Sequence, residues 1–281
     1  MSRAKTLLRR VLPAPVFRFL KSIQRRLEFG RVAGHSDDEH IVRKYLGAAA
    51  EAGQYCVDIA AQDGVMGSQT LRLFQEGWSG LAVEFDGRMF AALSDMYSTF
   101  EHVSLVRTKV VPENVVAILR AARCPHDFGF LSLDIDSYDH YLLDQILSAF
   151  RPRLICAEIN ETIPPPLKFT VTFAEDHQWA GDHFQGQSIC QCHDLCVKYD
   201  YTIVELHYNN LFLVPAELNV WGALTPQAAY DAGYRRKADR QQKFPWNADM
   251  DGLLDMAPSE AAGFLDRKFA KYAGRYTLEQ Q

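Results

Sequence analysis

No stretch of this chain approaches the roughly 20 uninterrupted apolar residues that a membrane-spanning helix needs, and its start lacks an apolar core long enough for a secretory signal. Cysteine is sparse: six in 281 residues, too few and too irregular for the disulfide framework of a small secreted domain. Cys56 and Cys156 fall inside apolar strand patterns, as small buried residues do, so the reading is of a cytoplasmic protein with free thiols. Internal repeats and low-complexity tracts are absent. A G-x-x-x-x-G-K-[ST] segment is missing, which excludes a P-loop, and no G-x-G-x-x-G follows a strand, which argues against a dinucleotide site. Basic residues are scarce on the body. Residues 1–34 hold nine Lys and Arg against Glu28 alone, so that segment is +8, and with −5 overall the remainder is −13. An acidic body argues against a broad nucleic-acid surface.

What is present is ordinary globular material, 48% hydrophobic and 23% charged, enough for one sizeable core. The division expected is a basic segment (1–35), a main domain (36–220) and a helical extension packed on it (221–281). In the basic segment Val16, Leu20, Ile23 and Leu27 recur at helical spacing while Arg18, Lys21, Arg25 and Arg26 fall largely elsewhere. That pattern suits either peripheral contact with an anionic membrane or partner, or a helix packed on the body. A further helix is expected near Asp37–Ala52.

The chain then alternates. Strand Cys56–Ile59 leads through a small-residue turn, Ala60–Gly64, into a helix over Gly67–Glu76. Strand Gly80–Phe85 follows, then a helix at Arg88–Ser98, a strand at Val103–Arg107 and a helix at Pro112–Ala122. Strand Phe128–Asp136, helix Tyr138–Phe150 and strand Arg153–Asn160 complete five strand-and-helix units. The pattern predicts a doubly wound α/β sheet, whose ligands bind at the carboxyl ends of the strands. Those ends carry Asp58, Glu84, Asp134, Asp136, Glu158 and Asn160. Thr162–Gln187 breaks the rhythm with three consecutive prolines and reads as a long irregular loop, a lid or substrate wall. A helix at Ser188–Lys198 and two strands separated by a turn near Asn209 close the domain as an antiparallel hairpin.

The first turn points to a nucleotide-like cofactor, because small residues after a strand let backbone N–H groups approach a ligand. Glu84, twenty residues beyond Gly64, is placed to accept hydrogen bonds from ribose hydroxyls. By these segments, VDIAAQDGVMGSQT, GWSGLAVEFD, LSLDIDSYDHYLL, RPRLICAEIN and YNNLFLVP, in this order over residues 50–215, the chain resembles the class I S-adenosylmethionine-dependent methyltransferases of the FkbM-like group. The resemblance implies a Rossmann-like methyltransferase sheet of seven strands, mostly parallel, with S-adenosyl-L-methionine as cofactor. It implies that Asp58, Ala60, Gln62, Asp63, Gly64, Glu84 and Phe85 surround the cofactor and that Asp134 lines the cleft between cofactor and acceptor. Ala60 and Gln62 depart from the family's glycine and asparagine.

Methyl transfer to an alcohol needs a base or a metal. Asp134, Asp136 and His183 are the catalytic candidates, with His177, Asp182 and His140 as further bases. Asp134, Asp136, Glu158 and Asn160 offer oxygen ligands of the kind Mg²⁺ uses, with Asp134, Asp136 and Asn160 the set named for the metal; alternatively Asp136 and Asp139 cap the next helix, Glu158 forms an internal salt bridge and no metal binds. Cys190, Cys192, His193 and Cys196 share one predicted helix, which cannot wrap a tetrahedral zinc, so core packing is expected. Trp179, Phe184 and Tyr208 could stack on a sugar or serve the core. The reading that follows is a methyltransferase, O-directed, acting on a small-molecule or saccharide acceptor. A non-catalytic scaffold is the rival, with a nucleotide-sugar or NAD-dependent enzyme behind it.

Overall fold

In a computed structural model, which describes residues 38–47 and 53–280, the alternation is realised as strands covered by helices on both faces. Helix α1 (Glu39–Leu46) precedes β1 (Tyr55–Ile59), α2 (Leu71–Gln75), β2 (Ser79–Glu84), α3 (Gly87–Tyr97) and β3 (Val103–Arg107). Then come α4 (Val115–Ala121), β4 (Phe130–Leu133), α5 (Asp139–Ala149), β5 (Leu154–Glu158) and β6 (Leu167–Val171). Helix α6 (Ile189–Tyr199), β7 (Tyr201–His207) and β8 (Asn210–Pro215) follow. The last sixty residues contain α7 (Pro226–Tyr230), α8 (Arg240–Lys243), α9 (Pro258–Lys268), several tight helical turns and a strand, β9 (Tyr276–Gln280). The expected basic helix lies outside the described residues.

Seven strands form the main sheet in the order β3-β2-β1-β4-β5-β8-β7. All neighbours are parallel except β8, which runs antiparallel to both β5 and β7. The expected doubly wound sheet and its closing hairpin are therefore present. Strand order reverses between β1 and β4, and a crevice opens there at the carboxyl edge.

A strand buried on both faces is expected to be apolar on both, and β1 is so except at Asp58: Val57 and Ile59 join the core under α4, α5 and α6, while Cys56 joins the core under α1, α2 and α3. Local chemistry places the helix ends. Asp86 accepts hydrogen bonds from the Arg88 and Met89 N–H groups (2.8 and 2.9 Å) and starts α3; Ser188 accepts from Gln191 N–H (3.2 Å) and starts α6. The six cysteines are unpaired, and Cys190, Cys192 and Cys196 are buried core residues. No helix among the described residues is long and apolar enough to cross a membrane.

Two departures concern the site. Part of the loop expected over Thr162–Gln187 is strand: Leu167, Phe169 and Val171 alternate with Lys168 and Thr170, and β6 pairs antiparallel with β9. The chain's end, expected as helix, supplies that partner. Phe169, Phe184, Leu265 and Phe269 fill a separate small core beneath this ribbon.

Candidate active site

The turn after β1 is built from unusual backbone. Ala60 and Gln62 hold φ of +68° and +49°, and Gly64 holds +76°. Only Gly64 is forced: a Cβ there would lie 2.7 Å from both Leu93 and Tyr97 of α3. Ala60 tolerates the left-handed region at a cost of about 1 kcal/mol relative to glycine. The N–H groups of Ala60 and Ala61 both donate to the Val83 carbonyl at 3.0 Å, so the turn is stapled to β2.

The next donor reaches the end of that strand. Gln62 N–H donates to one oxygen of Glu84 (2.8 Å) and Asp86 N–H to the other (2.6 Å), which fixes the carboxylate plane although the residue is 7% exposed. Glu84, Ala60 and Phe85 line a cavity of about 420 Å³ with Thr108, Lys109 and Tyr138. Asp58, Gln62, Asp63 and Gly64 stand behind its wall. Asp63 accepts from the N–H groups of Val65 and Met66 (3.0 and 2.9 Å) and shapes the turn rather than the cavity. Asp58 accepts from the Thr70 hydroxyl; burial, with Asp134 and Glu84 adding repulsion, pushes its carboxyl up to about 6.

A second cavity of about 660 Å³ opens beside the first at the carboxyl ends of β4 and β5. Trp179, 47% exposed, lines both and is the wall they share. The floor of the second is acidic. Carboxylate oxygens of Asp134, Asp136 and Glu158 all lie within 4.8 Å of one another. Asp136 sits at φ +54°, a strained conformation of the kind that clusters at functional sites. Burial raises both aspartates to about 6, helped by mutual repulsion at Asp134 and by Asp139 and Glu161 at Asp136. Glu158 rises well above the ordinary range for the same reasons. One Glu158 oxygen accepts from the Asn209 amide (2.7 Å); the other is buried without a hydrogen-bond partner.

The structure brings Asp134 and Asp136 together with Glu158, and Asn160 lines the same cavity as Asp136 and Glu158. The Asn160 amide is already spent: its NH₂ donates to the carbonyls of His183 (2.8 Å) and Gln185 (3.1 Å), and its oxygen accepts from the Thr162 hydroxyl (2.6 Å). It anchors the loop. Asp139 is likewise structural, clamping the Ile135 and Ser137 N–H groups (2.9 and 3.0 Å), with burial pushing it to about 7.

Among the histidines, His183 lines the acidic cavity and bonds Asp249 (2.9 Å), and His177 lines the other. His140 reaches neither, being held by Gln187 (3.1 Å). Phe184 is core, stacked 3.9 Å from Tyr272, and Tyr208 is tied to Asp239; only Trp179 of the three aromatics faces a cavity. Sequence reasoning missed Glu161, three residues past the end of β5. It is 4% exposed, lines the acidic cavity, accepts from the Asn247 amide of the C-terminal region (2.6 Å), and is raised by burial. No local pattern announces a partner 86 positions away.

No family model matches the chain, and no curated protein matches it. Solved structures do. A Klebsiella pneumoniae protein assigned as an O-methyltransferase is 16% identical over 74% of this chain and 93% of its own, with a TM-score of 0.45. An O-methyltransferase from Bacillus cereus, solved with SAH, is 13% identical over 75% and 96%, with a TM-score of 0.44. The N-terminal domain of EvdMO1, solved in the presence of SAH and D-fucose, is 11% identical over 64% and 83%, with a TM-score of 0.42.

This chain has a Rossmann-like methyltransferase fold. Its own strand order carries that statement, with the one reversed strand, β8, set between β5 and β7.

Proposed function

We propose that the protein is an S-adenosylmethionine-dependent methyltransferase that methylates a hydroxyl of a small-molecule or glycan-type acceptor. One observation carries the reading. The Glu84 carboxylate, oriented by two backbone N–H groups, lines a cavity at the sheet's switch point, and that cavity shares Trp179 with a second, acid-floored one.

The first cavity fits the cofactor's nucleoside: Glu84 keeps lone pairs for ribose hydroxyls, and Phe85 at the lip offers an apolar face. Bound there, S-adenosylmethionine supplies an electrophilic methyl group on a cationic sulfur. The chain's contribution is positioning and proton removal. Trp179 keeps the two cavities distinct and excludes water between them. Asp134 and Asp136 favour positive charge along the cleft, and either can take the acceptor's proton, as can His183 through its bond to Asp249. Glu161 faces the same space from the opposite wall.

The donor set Asp134, Asp136 and Glu158 also fits a hard divalent cation such as Mg²⁺, because Glu158 has an unpartnered buried oxygen beside two other carboxylates. A cation there would lower the pKa of a bound hydroxyl. The FkbM-like assignment belongs to this reading too. The scaffold alternative loses its main support in the turn, since Gln62 still delivers its N–H to Glu84 and Ala60 its N–H to Val83.

The test is calorimetric titration with S-adenosylhomocysteine. Wild type binds; Glu84→Gln, which keeps an acceptor for one of the two N–H groups, sets an NH₂ against the other and loses the charge, binds at least about tenfold more weakly. Absence of wild-type binding sinks the methyltransferase reading, and an unaltered Glu84→Gln variant sinks the placement of the ribose.

A further inference from the structure

Seven buried side-chain polar atoms among the described residues have no hydrogen-bond partner, and two of them belong to residues that line the Glu84 cavity. They are His177 Nε2 and Ser137 Oγ. Each residue is only 5% exposed. A polar group buried without a partner opposes folding, so an orphan in the wall of a binding cavity points to a partner that the ligand brings.

The backbone turns the imidazole inward. Glu175, Asp176, Gln178 and Trp179 are exposed, and His177 alone among them is buried. Its N–H closes the turn on the Ala174 carbonyl (2.9 Å). Lys109, two residues past β3 and itself in the cavity wall, donates from its ammonium to the carbonyls of Glu175 and His177 and so ties the loop to that wall. Phe184 meets the ring in a T-shaped contact, with centroids 5.7 Å apart. Burial, with Arg275 and Lys109 nearby, holds the imidazole below its ordinary range, so at neutral pH it is uncharged and Nε2 can either donate or accept. Ser137 precedes α5. Its N–H is clamped by Asp139 (3.0 Å), which leaves the hydroxyl over.

On the methyltransferase reading, on which this inference rests, Glu84 holds the ribose and the sulfur-bearing arm runs past Trp179 toward the acidic cavity. The base then takes the rest of the first cavity, where Phe85, Val110, Ile135 and Tyr138 offer apolar surface to a planar ring. Apolar walls hold such a ring without reading its edge; a few placed polar groups do that. Adenine's edge sets an amino donor beside a ring-nitrogen acceptor, and a neutral imidazole and a hydroxyl can each take either role, so the pair can satisfy both. We propose that His177 and Ser137 hydrogen-bond the amino-bearing edge of the cofactor's adenine and make the cavity selective for that base. The ring torsion of histidine is broad and a serine hydroxyl rotates freely, so both groups can turn to an incoming edge while the backbone stays in place. His177 is then a recognition residue and not a base for the acceptor's proton.

The experiment titrates full-length protein, by calorimetry, with S-adenosylhomocysteine and with its deamino analogue, in which hydrogen replaces the adenine amino group. Wild type binds S-adenosylhomocysteine at least about tenfold more tightly than the analogue. His177→Leu, apolar and of similar volume, and Ser137→Ala each weaken S-adenosylhomocysteine by about five- to tenfold and the analogue much less, so the ratio of the two affinities falls toward one. Glu84→Gln weakens both ligands alike and keeps the ratio, because it acts on the ribose. Ser137→Ala carries the test alone if His177→Leu does not fold. The proposal is overturned if wild type is indifferent to the amino group, or if the His177 and Ser137 variants keep the wild-type ratio, as purely structural residues would; in either case S-adenosylhomocysteine still binds and the methyltransferase reading survives. Wild type that binds neither ligand sinks that reading, and this assignment with it.

Discussion

Gly64 and Ala60 both occupy left-handed backbone, yet only one of them has to be glycine. Gly64→Ala meets two side chains at 2.7 Å as well as the left-handed penalty, and should cost about 2–4 kcal/mol in denaturant unfolding. Ala60→Gly relieves strain at the price of a looser unfolded chain, so its effect should stay within about 1 kcal/mol, with S-adenosylhomocysteine affinity retained. Asp58 gives a pH prediction. Its folded carboxyl is raised to about 6, above the unfolded value near 4, so the native state holds the extra proton between those values and stability declines as pH rises from about 4 to 6. Above pH 6 the burial penalty is fully present. Asp58→Asn removes it, and the variant should gain up to about 2–3 kcal/mol over wild type at pH 7.5 and nothing at pH 4, by urea unfolding at the two values. At this scale the chain was partly readable. Glu84 could be placed from spacing because one strand, one turn and one cap determine it, whereas the bonds that Asn160 makes to carbonyls 23 and 25 residues away have no local signal.

Among the elements, those with self-contained patterns were legible. The strand at Val103–Arg107 was expected at its observed bounds, and the helices around it within a few residues, because apolar periodicity and caps are local. β6 was hidden by the three prolines before it and by a partner more than a hundred residues later in the chain. That partnership sets β6, β9 and the small core beneath them apart from the main sheet. Leu265→Ala, at a fully buried position of α9, should cost about 2–4 kcal/mol, and it should accelerate hydrogen exchange in β6 and β9 while β1 and β4 stay protected. Exchange that accelerates equally across the main sheet would show instead that the two cores unfold as one.

Across the whole molecule, two cavities meet at one indole, the second has a carboxylate floor, and a divalent ion held there should act on stability. Mg²⁺ bound by Asp134, Asp136 and Glu158 would offset the repulsion among three crowded carboxylates, so the melting temperature should climb with Mg²⁺ concentration near neutral pH. The climb should vanish in Glu158→Gln. A melting curve indifferent to Mg²⁺ leaves the carboxylates sharing protons, with proton removal falling to them and His183.

The pairing of β6 with β9 also fixes an order in time. A chain growing from its amino end can complete the main sheet, and with it the Glu84 cavity, once Pro215 has emerged. The β6–β9 ribbon cannot close until Tyr276–Gln280 has followed, so on the proposed function the cofactor's cavity can form before this ribbon does. During synthesis the proposed enzyme would therefore have its ribose carboxylate in place before its last strand exists.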